Sequence, residues 1–306
     1  MRQNRLLITR KTLDQLLLLA GFVTAVFIVS CATPANQQAE VMQPADKNKS
    51  QKLAEGVIST GEDYGPAFTV DGNTLYFTRR TEGRKSAAIL VSQLEGATWS
   101  APQVAPFSGK YYDVEPFISP DGSRFFFASK RPIEGDTPNK DFDLWVMEKT
   151  SNGWGSPKPL TTVNAPGYDN YPSVATNGTL YFGSSRDGSR GIDLYRARLV
   201  NGQYETPQNL GDVINSEKSD ADPYIAPDES YLIFASSRPG GLGEGDLYIS
   251  FNRNGNWTAP RSLGELVNSP DWDYTPLISR DGQTFFFSRG WGDIYRIPLS
   301  ALNLKP

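Results

Sequence analysis

The sequence predicts an all-β protein, a β-propeller built from four-stranded antiparallel blades, with five blades expected and six as the alternative. Three observations predict this fold. One motif returns five times along the chain. Aromatic residues make up 12% of the sequence and are accompanied by 28 Gly and 22 Pro, a composition typical of short strands and tight turns. Apolar residues with helical spacing do not occur beyond the N-terminal segment.

Each repeat begins with an aspartate three residues before a proline. The five copies are Asp63 to Pro66, Asp113 to Pro116, Asp169 to Pro172, Asp220 to Pro223 and Asp273 to Pro276. Successive prolines are separated by 50, 56, 51 and 53 residues. A constant period of this size indicates one supersecondary unit per copy, so each copy is expected to form one blade.

The residues after each proline predict four strands. A short apolar segment leads to a turn, which has glycine at its second position in four repeats and Glu229 in the fourth copy. An aromatic strand follows, and a third strand opens with aspartate in all repeats except the first, which has Ala88-Ile89-Leu90. The fourth element has an aromatic residue three positions before a proline: Trp99, Trp154, Tyr204 and Trp257. The last repeat lacks this element, and residues 52–58 are expected to supply its fourth strand and close the ring.

These residues resemble the PD40 repeat, a WD40-like repeat found in TolB-like propellers and in the propellers of some peptidases. The best match is Ser-Pro-Asp-Gly at 119–122, followed by Phe-Phe-Phe-Ala-Ser-Lys-Arg at 125–131. The resemblance covers about residues 52–300. It implies the propeller fold but not one activity, because propellers carry many functions.

The N-terminal segment predicts export and lipid attachment. Basic residues precede an apolar run that ends Ile28-Val29-Ser30-Cys31-Ala32, and this run is too short for a typical membrane span. The segment resembles a bacterial lipobox, in which the cysteine receives the lipid. Residues 1–30 are therefore expected to be a signal peptide, 31–50 a flexible tether and 51–306 the propeller. By the same resemblance, Ala32 after Cys31 favours a periplasm-facing outer-membrane lipoprotein.

Composition excludes several classes of function. Without residues 1–30 the chain carries 26 basic and 33 acidic side chains, a formal net charge of −7, which disfavours nucleic-acid binding. The sequence has no histidine, which excludes Ser-His-Asp and Cys-His catalysis as well as histidine-ligated zinc. No complete calcium loop is present, and neither a metal nor a cofactor is expected.

Charged residues recur where each blade's loops should meet. An arginine follows every aromatic strand, and because strands one and two form a hairpin, it should lie beside the first-strand aspartate and the aspartate opening strand three. The expected Asp-Arg clusters comprise Asp63, Arg80, Asp113, Arg131, Asp143, Asp169, Arg186, Asp193, Asp220, Arg238, Asp246, Asp273, Arg289 and Asp293. Their recurrence in every blade favours a structural role. The alternative is that acceptors near the axis bind a cation or polar ligand.

Aromatic residues in the same loops form a candidate ligand face, Tyr112, Tyr168, Trp272 and Tyr274, with Tyr112 and Trp272 expected to be the most exposed. Three functions remain open. The first is a non-catalytic scaffold for envelope proteins, and the second is a glycan- or peptidoglycan-binding module. The third is a five-bladed glycoside hydrolase using paired carboxylates, for which Glu115 and Asp222, each directly before its proline, are the candidate acids. This reading predicts carboxylates without an arginine partner and with a raised pKa.

Overall fold

The computed structural model describes residues 49–135, 137–186, 191–302 and 304, and it describes Glu82 without its side chain. Secondary structure in this part of the chain consists of strands and two 3-10 turns, Glu82–Arg84 and Leu299–Ala301. No helix within the described ranges is long and apolar enough to cross a membrane. The predicted signal peptide, Cys31 and almost all of the tether lie outside the described residues.

Five small antiparallel sheets form the blades, and the first three strands of each blade pair in chain order, whereas a strand from the N-terminal side of the chain completes the fifth blade. Blade 1 contains β2 (Asp63–Phe68), β3 (Thr74–Thr81), β4 (Ser86–Glu95), β5 (Thr98–Trp99) and β6 (Gln103–Val104). Blade 2 contains β7 (Asp113–Ile118), β8 (Arg124–Ser129), β9 (Asp143–Thr150), β10 (Gly153–Trp154) and β11 (Lys158–Pro159). Blade 3 contains β12 (Asp169–Val174), β13 (Leu180–Ser184), β14 (Asp193–Ala197), β15 (Leu199–Val200), β16 (Gln203–Tyr204) and β17 (Gln208–Asn209).

Blade 4 contains β18 (Asp220–Ile225), β19 (Tyr231–Ser236), β20 (Asp246–Arg253), β21 (Asn256–Trp257) and β22 (Arg261–Ser262). Blade 5 contains β23 (Asp273–Ile278), β24 (Thr284–Arg289), β25 (Asp293–Pro298) and β1 (Gln51–Lys52). The innermost strands β2, β7, β12, β18 and β23 contact one another in this order, and β23 also contacts β2. The five-bladed β-propeller predicted from the repeat is therefore confirmed.

The N-terminal segment closes the ring, but over a shorter strand than predicted. β1 pairs with β25 through Gln51↔Arg296 and Lys52↔Tyr295, and it ends at Lys52 rather than continuing to residue 58. Ala54 adopts a positive φ of 42° and turns the chain away from the sheet edge. Ser59 fixes this turn, because its hydroxyl contacts the Leu53 and Ile294 carbonyl oxygens at 3.0 and 2.9 Å. The rest of the segment forms a turn that buries Leu53 and Ile58 and leaves Glu55 and Gly56 exposed.

The aromatic second strands form the cores between blades. Phe77, Phe125, Phe127, Phe182 and Phe234 are fully buried there. The turn at Glu229 follows the geometry of its glycine counterparts, with a positive φ of 58°. Its carboxylate accepts hydrogen bonds from Asn177 Nδ2 at 2.6 Å and the Tyr181 hydroxyl at 2.8 Å, so contacts to blade 3 offset the backbone cost.

The closing turn generates a stability prediction. Ile58 is fully buried in a cluster with Leu75, Phe77 and Ile294, at the junction of blades 5 and 1. Ile58→Ala should lower the free energy of unfolding by about 2–5 kcal/mol because it leaves a cavity where the ring closes. Chemical denaturation measures this change. Val213→Ala, at a side chain that is 53% exposed, is the matched control and should change it by less than about 0.5 kcal/mol. Equal effects of the two substitutions would contradict closure by this segment.

Candidate functional site

Buried Asp-Arg pairs fasten the loop end of blades 2, 3 and 4. In each blade the first-strand aspartate lies fully buried, and an arginine two residues beyond the second strand donates from Nη2 to its Oδ1. The distances are 2.7 Å for Arg131 to Asp113, 2.6 Å for Arg186 to Asp169 and 2.8 Å for Arg238 to Asp220. The same Nη2 also donates to a carbonyl oxygen of the preceding loop, that of Phe107, Val163 or Ile214. These pairs tie neighbouring segments together.

Blades 5 and 1 use an arginine at a different position. Arg289 and Arg79 lie in the second strand directly opposite Asp273 and Asp63, and they donate from Nε at 2.7 and 2.5 Å. The prediction that Arg80 pairs with Asp63 is therefore wrong. Arg80 is the next residue of the same strand, so its side chain points to the other face of the sheet. The sequence contained a signal for this difference. The pairing arginine follows the last phenylalanine of the second strand by two residues in the case of Arg79 and Arg289, and by four residues in the other blades.

The expected three-membered clusters do not form with the aspartates that open the third strands. Among the described residues, the ion pairs of the blade arginines involve only first-strand aspartates; these arginines are Arg79, Arg131, Arg186, Arg238 and Arg289. Asp143 accepts from Asn139 at 2.6 Å, Asp193 from Asn209 at 3.2 Å, and Asp246 from the Leu242 amide at 2.8 Å, while Asp293 pairs with Lys52 at 2.8 Å. Burial raises the pKa of Asp143 to about 6. Asp143 and Asp246 thus fix their own loops, whereas Asp193 binds the outer strand of its blade and Asp293 binds the N-terminal segment.

A ring of five left-handed residues surrounds the propeller axis. Each directly precedes a repeat proline, where the pairing of strands one and two is interrupted by a bulge. They are Gly65, Glu115, Tyr171, Asp222 and Thr275, with φ between 46° and 63°. Only the first is a glycine, so surrounding contacts must hold the other four in this disfavoured conformation.

Neighbouring blades accept the bulge amides of Gly65, Glu115 and Tyr171. The Gly65 amide donates to Thr275 Oγ1 at 3.3 Å and Ser288 Oγ at 3.2 Å, and the Glu115 amide donates to Thr78 Oγ1 at 2.8 Å. The Tyr171 amide donates to Glu115 Oε2 at 2.9 Å. Glu115 thus links blade 2 to blade 3 at the axis.

The two axial acids, Glu115 and Asp222, have strongly perturbed acidity. They are 7% and 3% exposed. Burial raises the pKa of Glu115 to about 8, against the opposing effects of the Tyr171 amide and Arg80. Burial also raises the pKa of Asp222 well above its usual value, and the nearby Glu115 adds to the effect. Asp222 Oδ1 is buried without a hydrogen-bond partner in the described residues.

A cavity of about 310 Å³ opens above this ring at the loop end of blades 1 to 3. We call it the funnel. It is lined by Tyr64, Arg80, Tyr112, Glu115, Phe142, Tyr168, Asn170, Tyr171 and Ile192. A smaller space of about 40 Å³, lined by Glu115, Tyr171, Asp222 and Thr275 among others, lies along the axis. At the turn end of the propeller, Arg280 donates to the Ile118 and Ser119 carbonyl oxygens and links blade 5 to blade 2.

The candidate ligand face is only partly in the funnel. Tyr168, 41% exposed, and the half-buried Tyr112 line it, whereas Tyr274 is 5% exposed. The expectation that Tyr112 and Trp272 are the most exposed of these aromatics is wrong, because both are half-buried and Tyr168 is more exposed. Trp272 packs so closely on Gly245 that a Cβ there would lie 2.9 Å from the indole ring.

Sequence reasoning missed Phe142, Asn170 and Ile192 in the funnel wall and Trp291, which is 68% exposed. Phe142 and Ile192 directly precede a third-strand aspartate, a position that could have been examined as part of the repeat.

A lysine covers the aromatic wall of the funnel. Phe142 lies between Tyr112 and Tyr168, with ring centroids 5.3 and 6.1 Å apart. The Lys130 ammonium lies 5.9, 4.8 and 5.7 Å from the centroids of Tyr112, Phe142 and Tyr168. Cation–π contacts of this kind occupy ring faces that a sugar would need for stacking. Within the described ranges, no group of three or more His, Cys, Asp or Glu side chains could hold a metal ion.

Comparison with solved structures finds several matches. A protein assigned as TolB in Agrobacterium tumefaciens matches with 21% identity and a TM-score of 0.50, over 75% of this chain and 71% of its own. TolB from Acinetobacter baumannii matches with 21% identity and a TM-score of 0.47, over 77% of this chain and 54% of its own, so the match spans about half of that protein. A gluconolactonase from Xanthomonas campestris matches with 11% identity and a TM-score of 0.48, over 86% and 99% of the two chains.

No family model matches the sequence, and no curated protein does. The Agrobacterium match establishes a likeness of fold to a TolB-like propeller.

The Asp-Arg pairs generate a second stability prediction. Asp169→Ala removes the acceptor for Arg186 and for the Ala165 amide, which lies 2.7 Å from Oδ2. Leaving buried donors unpaired should lower the free energy of unfolding by about 1–3 kcal/mol. Urea denaturation measures this change, with Asp212→Ala at an exposed aspartate as the matched control. An unchanged midpoint for Asp169→Ala would contradict the structural role of the pairs.

Proposed function

We propose that this protein is a non-catalytic, lipid-anchored propeller that holds a partner protein on its loop face in the bacterial envelope. The single observation that carries the proposal is the funnel. It combines an aromatic wall, formed by Tyr112, Phe142 and Tyr168, with the guanidinium of Arg80 in its lining. Half-buried aromatic and arginine side chains around a concave space are the usual anchors of protein recognition.

The repeated ion pairs support this proposal because their structural role excludes them as the binding site. The first-strand aspartates and their arginines fasten loops in all five blades, which leaves them no role in binding. The funnel breaks the five-fold repetition, since blades 1 to 3 line it. Asymmetry of this kind is typical of a specific site.

The membrane attachment in this proposal derives from the sequence. Cys31 follows a short apolar run in a lipobox-like context, and a lipid at that cysteine would tether the propeller through the following residues. Ala32 supports the outer membrane as the destination. The funnel would then be presented to the periplasm at the end of a tether.

Glycan binding is less well supported than protein binding. Sugars stack on open aromatic faces, and here Lys130 lies over the three rings of the aromatic wall. Trp272, the largest aromatic side chain of the expected ligand face, packs against Gly245 instead of lining the funnel. A protein segment can use ring edges and the arginine, so it fits this surface better.

Glycoside hydrolysis is the second candidate, favoured by one observation. Glu115 and Asp222 form no ion pair with the described arginines, and the pKa of Glu115 is raised to about 8, as a general acid requires. One oxygen of Glu115, however, already accepts the Tyr171 amide and maintains the bulge of blade 3. Cleavage of aryl glycosides by the wild type, lost in Glu115→Gln, would replace the binding proposal.

Photocrosslinking in intact cells tests the binding proposal. A p-benzoylphenylalanine at position 168, on the rim of the funnel, should crosslink to one envelope protein, because Tyr168 is exposed beside the aromatic wall. The matched control is the same photocrosslinker at Val200, which is 45% exposed and lies in β15, in the outer hairpin of the same blade. It should give no such product.

Two further results decide this experiment. Cys31→Ser should shift the protein from the membrane fraction to the soluble fraction if the cysteine carries the lipid. The absence of a product at position 168, or an identical product at position 200, would contradict binding at the funnel.

A further inference from the structure

Arg80 differs from the repeat arginines in its surroundings. Its guanidinium lies 4.0 Å from the centroid of the Tyr64 ring and donates from Nη1 to the Trp291 carbonyl oxygen. Among the side chains that the structure describes, no carboxylate forms an ion pair with it. Since a guanidinium has five N–H donors, Arg80 retains donors on the funnel side.

A second group in the funnel also lacks a partner. Asn170 is 6% exposed and lines the cavity, and its Oδ1 is buried without a hydrogen-bond partner in the described residues. A buried acceptor left unpaired costs free energy, so a ligand that brings an N–H donor to it gains affinity. The funnel therefore offers donors at Arg80, and Asn170 in its wall offers an acceptor once the side chain turns its covered Oδ1 toward the cavity.

Together with the aromatic wall, these two groups match one chemical class. A planar carboxylate suits the paired donors of a guanidinium, an amide N–H suits the asparagine oxygen, and an apolar side chain suits the edges of Tyr112 and Phe142. All three features occur together in the last residue of a peptide. A volume of about 310 Å³ is at the lower end for ligand pockets, about 300–1,000 Å³, so it suits a chain end better than a folded surface.

We propose that the funnel binds the C-terminal carboxylate of an extended peptide, with Arg80 as the anchor of the anion and Asn170 as the acceptor of the last peptide N–H. This inference rests on the proposed function, since it assigns the chemistry of the segment that the same site holds. The partner is thus a protein with an accessible C-terminus.

The charges around Arg80 favour an anion at neutral pH. Glu115 faces it from β7 and Asp222 from β18, and burial raises the pKa of both carboxyl groups. The other titratable groups near Glu115 are Tyr64, Tyr112, Tyr171 and Tyr274, whose pKa values burial raises, so they are neutral as well. Glu115, whose pKa burial raises to about 8, is neutral at pH 7 and does not repel a carboxylate. Ionisation of Glu115 near pH 8 would add a negative charge beside the anchor.

Binding of matched peptide pools tests the inference. The probe is a pool of N-acetylated pentapeptides with an apolar last residue, prepared with a free C-terminal carboxylate and, separately, as the C-terminal amide. Binding to the detergent-solubilised full chain is measured by competition with a fluorescent member of the acid pool. The wild type should bind the acid pool at least tenfold more tightly than the amide pool, because only the acid engages Arg80 through two charge-assisted hydrogen bonds.

Variants at the anchor locate the effect. Arg80→Gln should remove the preference for the acid. Arg80→Lys should retain part of this preference, because lysine keeps the positive charge but cannot donate two parallel hydrogen bonds to a carboxylate. The matched control is Arg84→Gln, since Arg84 stacks on Trp291 at 4.4 Å and pairs with Glu62 outside the funnel. It should keep the preference. Circular dichroism and the unfolding midpoint verify that each variant is folded.

The pH profile gives an independent readout. Acid binding by the wild type should weaken as the pH rises through about 8, and Glu115→Gln should remove this dependence. Equal affinity for acid and amide, or an unchanged preference in folded Arg80→Gln, would overturn the inference. A specific crosslink at position 168 with no preference for the acid would overturn this inference alone. Acid-specific binding without any crosslink in cells would overturn only the proposed partner protein.

Discussion

The fold depends on a constraint at the axis: five backbone amides, each in a left-handed bulge residue, must find an acceptor outside their own strand. The acceptors described for Gly65, Glu115 and Tyr171 belong to the preceding blade in the ring, whether a hydroxyl or a carboxylate. The Thr275 amide likewise donates a hydrogen bond to Asp222, and this bond lowers the pKa of Asp222 against the effect of burial. A blade therefore needs its neighbour before its own first strand is fully hydrogen-bonded.

This constraint explains the electrostatics of the candidate site. Carboxylates that serve as acceptors at the axis are withdrawn from water, so the proton-bound form of Glu115 is favoured up to about pH 8. Arg80 reaches the same region, whereas Arg79 pairs with Asp63 on the other face of β3. The consecutive arginines of blade 1, Arg79 and Arg80, thus have different roles. One fastens the blade, and the other supplies a positive charge to the funnel.

Local features of the repeat were predictable from the sequence. The spacing of Asp-x-x-Pro predicted five blades, and the turn pattern predicted a tight turn between the first two strands of each blade. That Glu229 adopts the positive φ of its glycine counterparts is a finding of the structure. The pairs of Asp113, Asp169, Asp220 and Asp273 with their arginines follow from the hairpin alone.

Features that require the closed ring were not predictable in the same way. The burial of Glu115 and the partners of the axial amides arise between blades, and no local pattern encodes them. Arg80 was misassigned because one residue of register moves a side chain to the other face. The packing of Trp272 on Gly245 depends on the position of a loop in the neighbouring blade.

The acidity of Glu115 tests the account most directly, because it depends both on the axial hydrogen bond and on the charge of the funnel. The carboxyl ¹³C resonance of Glu115, in glutamate-labelled protein and assigned by its loss in Glu115→Gln, can be followed from pH 4 to pH 10. Burial at the axis requires a midpoint near 8. A midpoint close to the ordinary value of about 4.3 would show a solvated carboxylate and contradict the account.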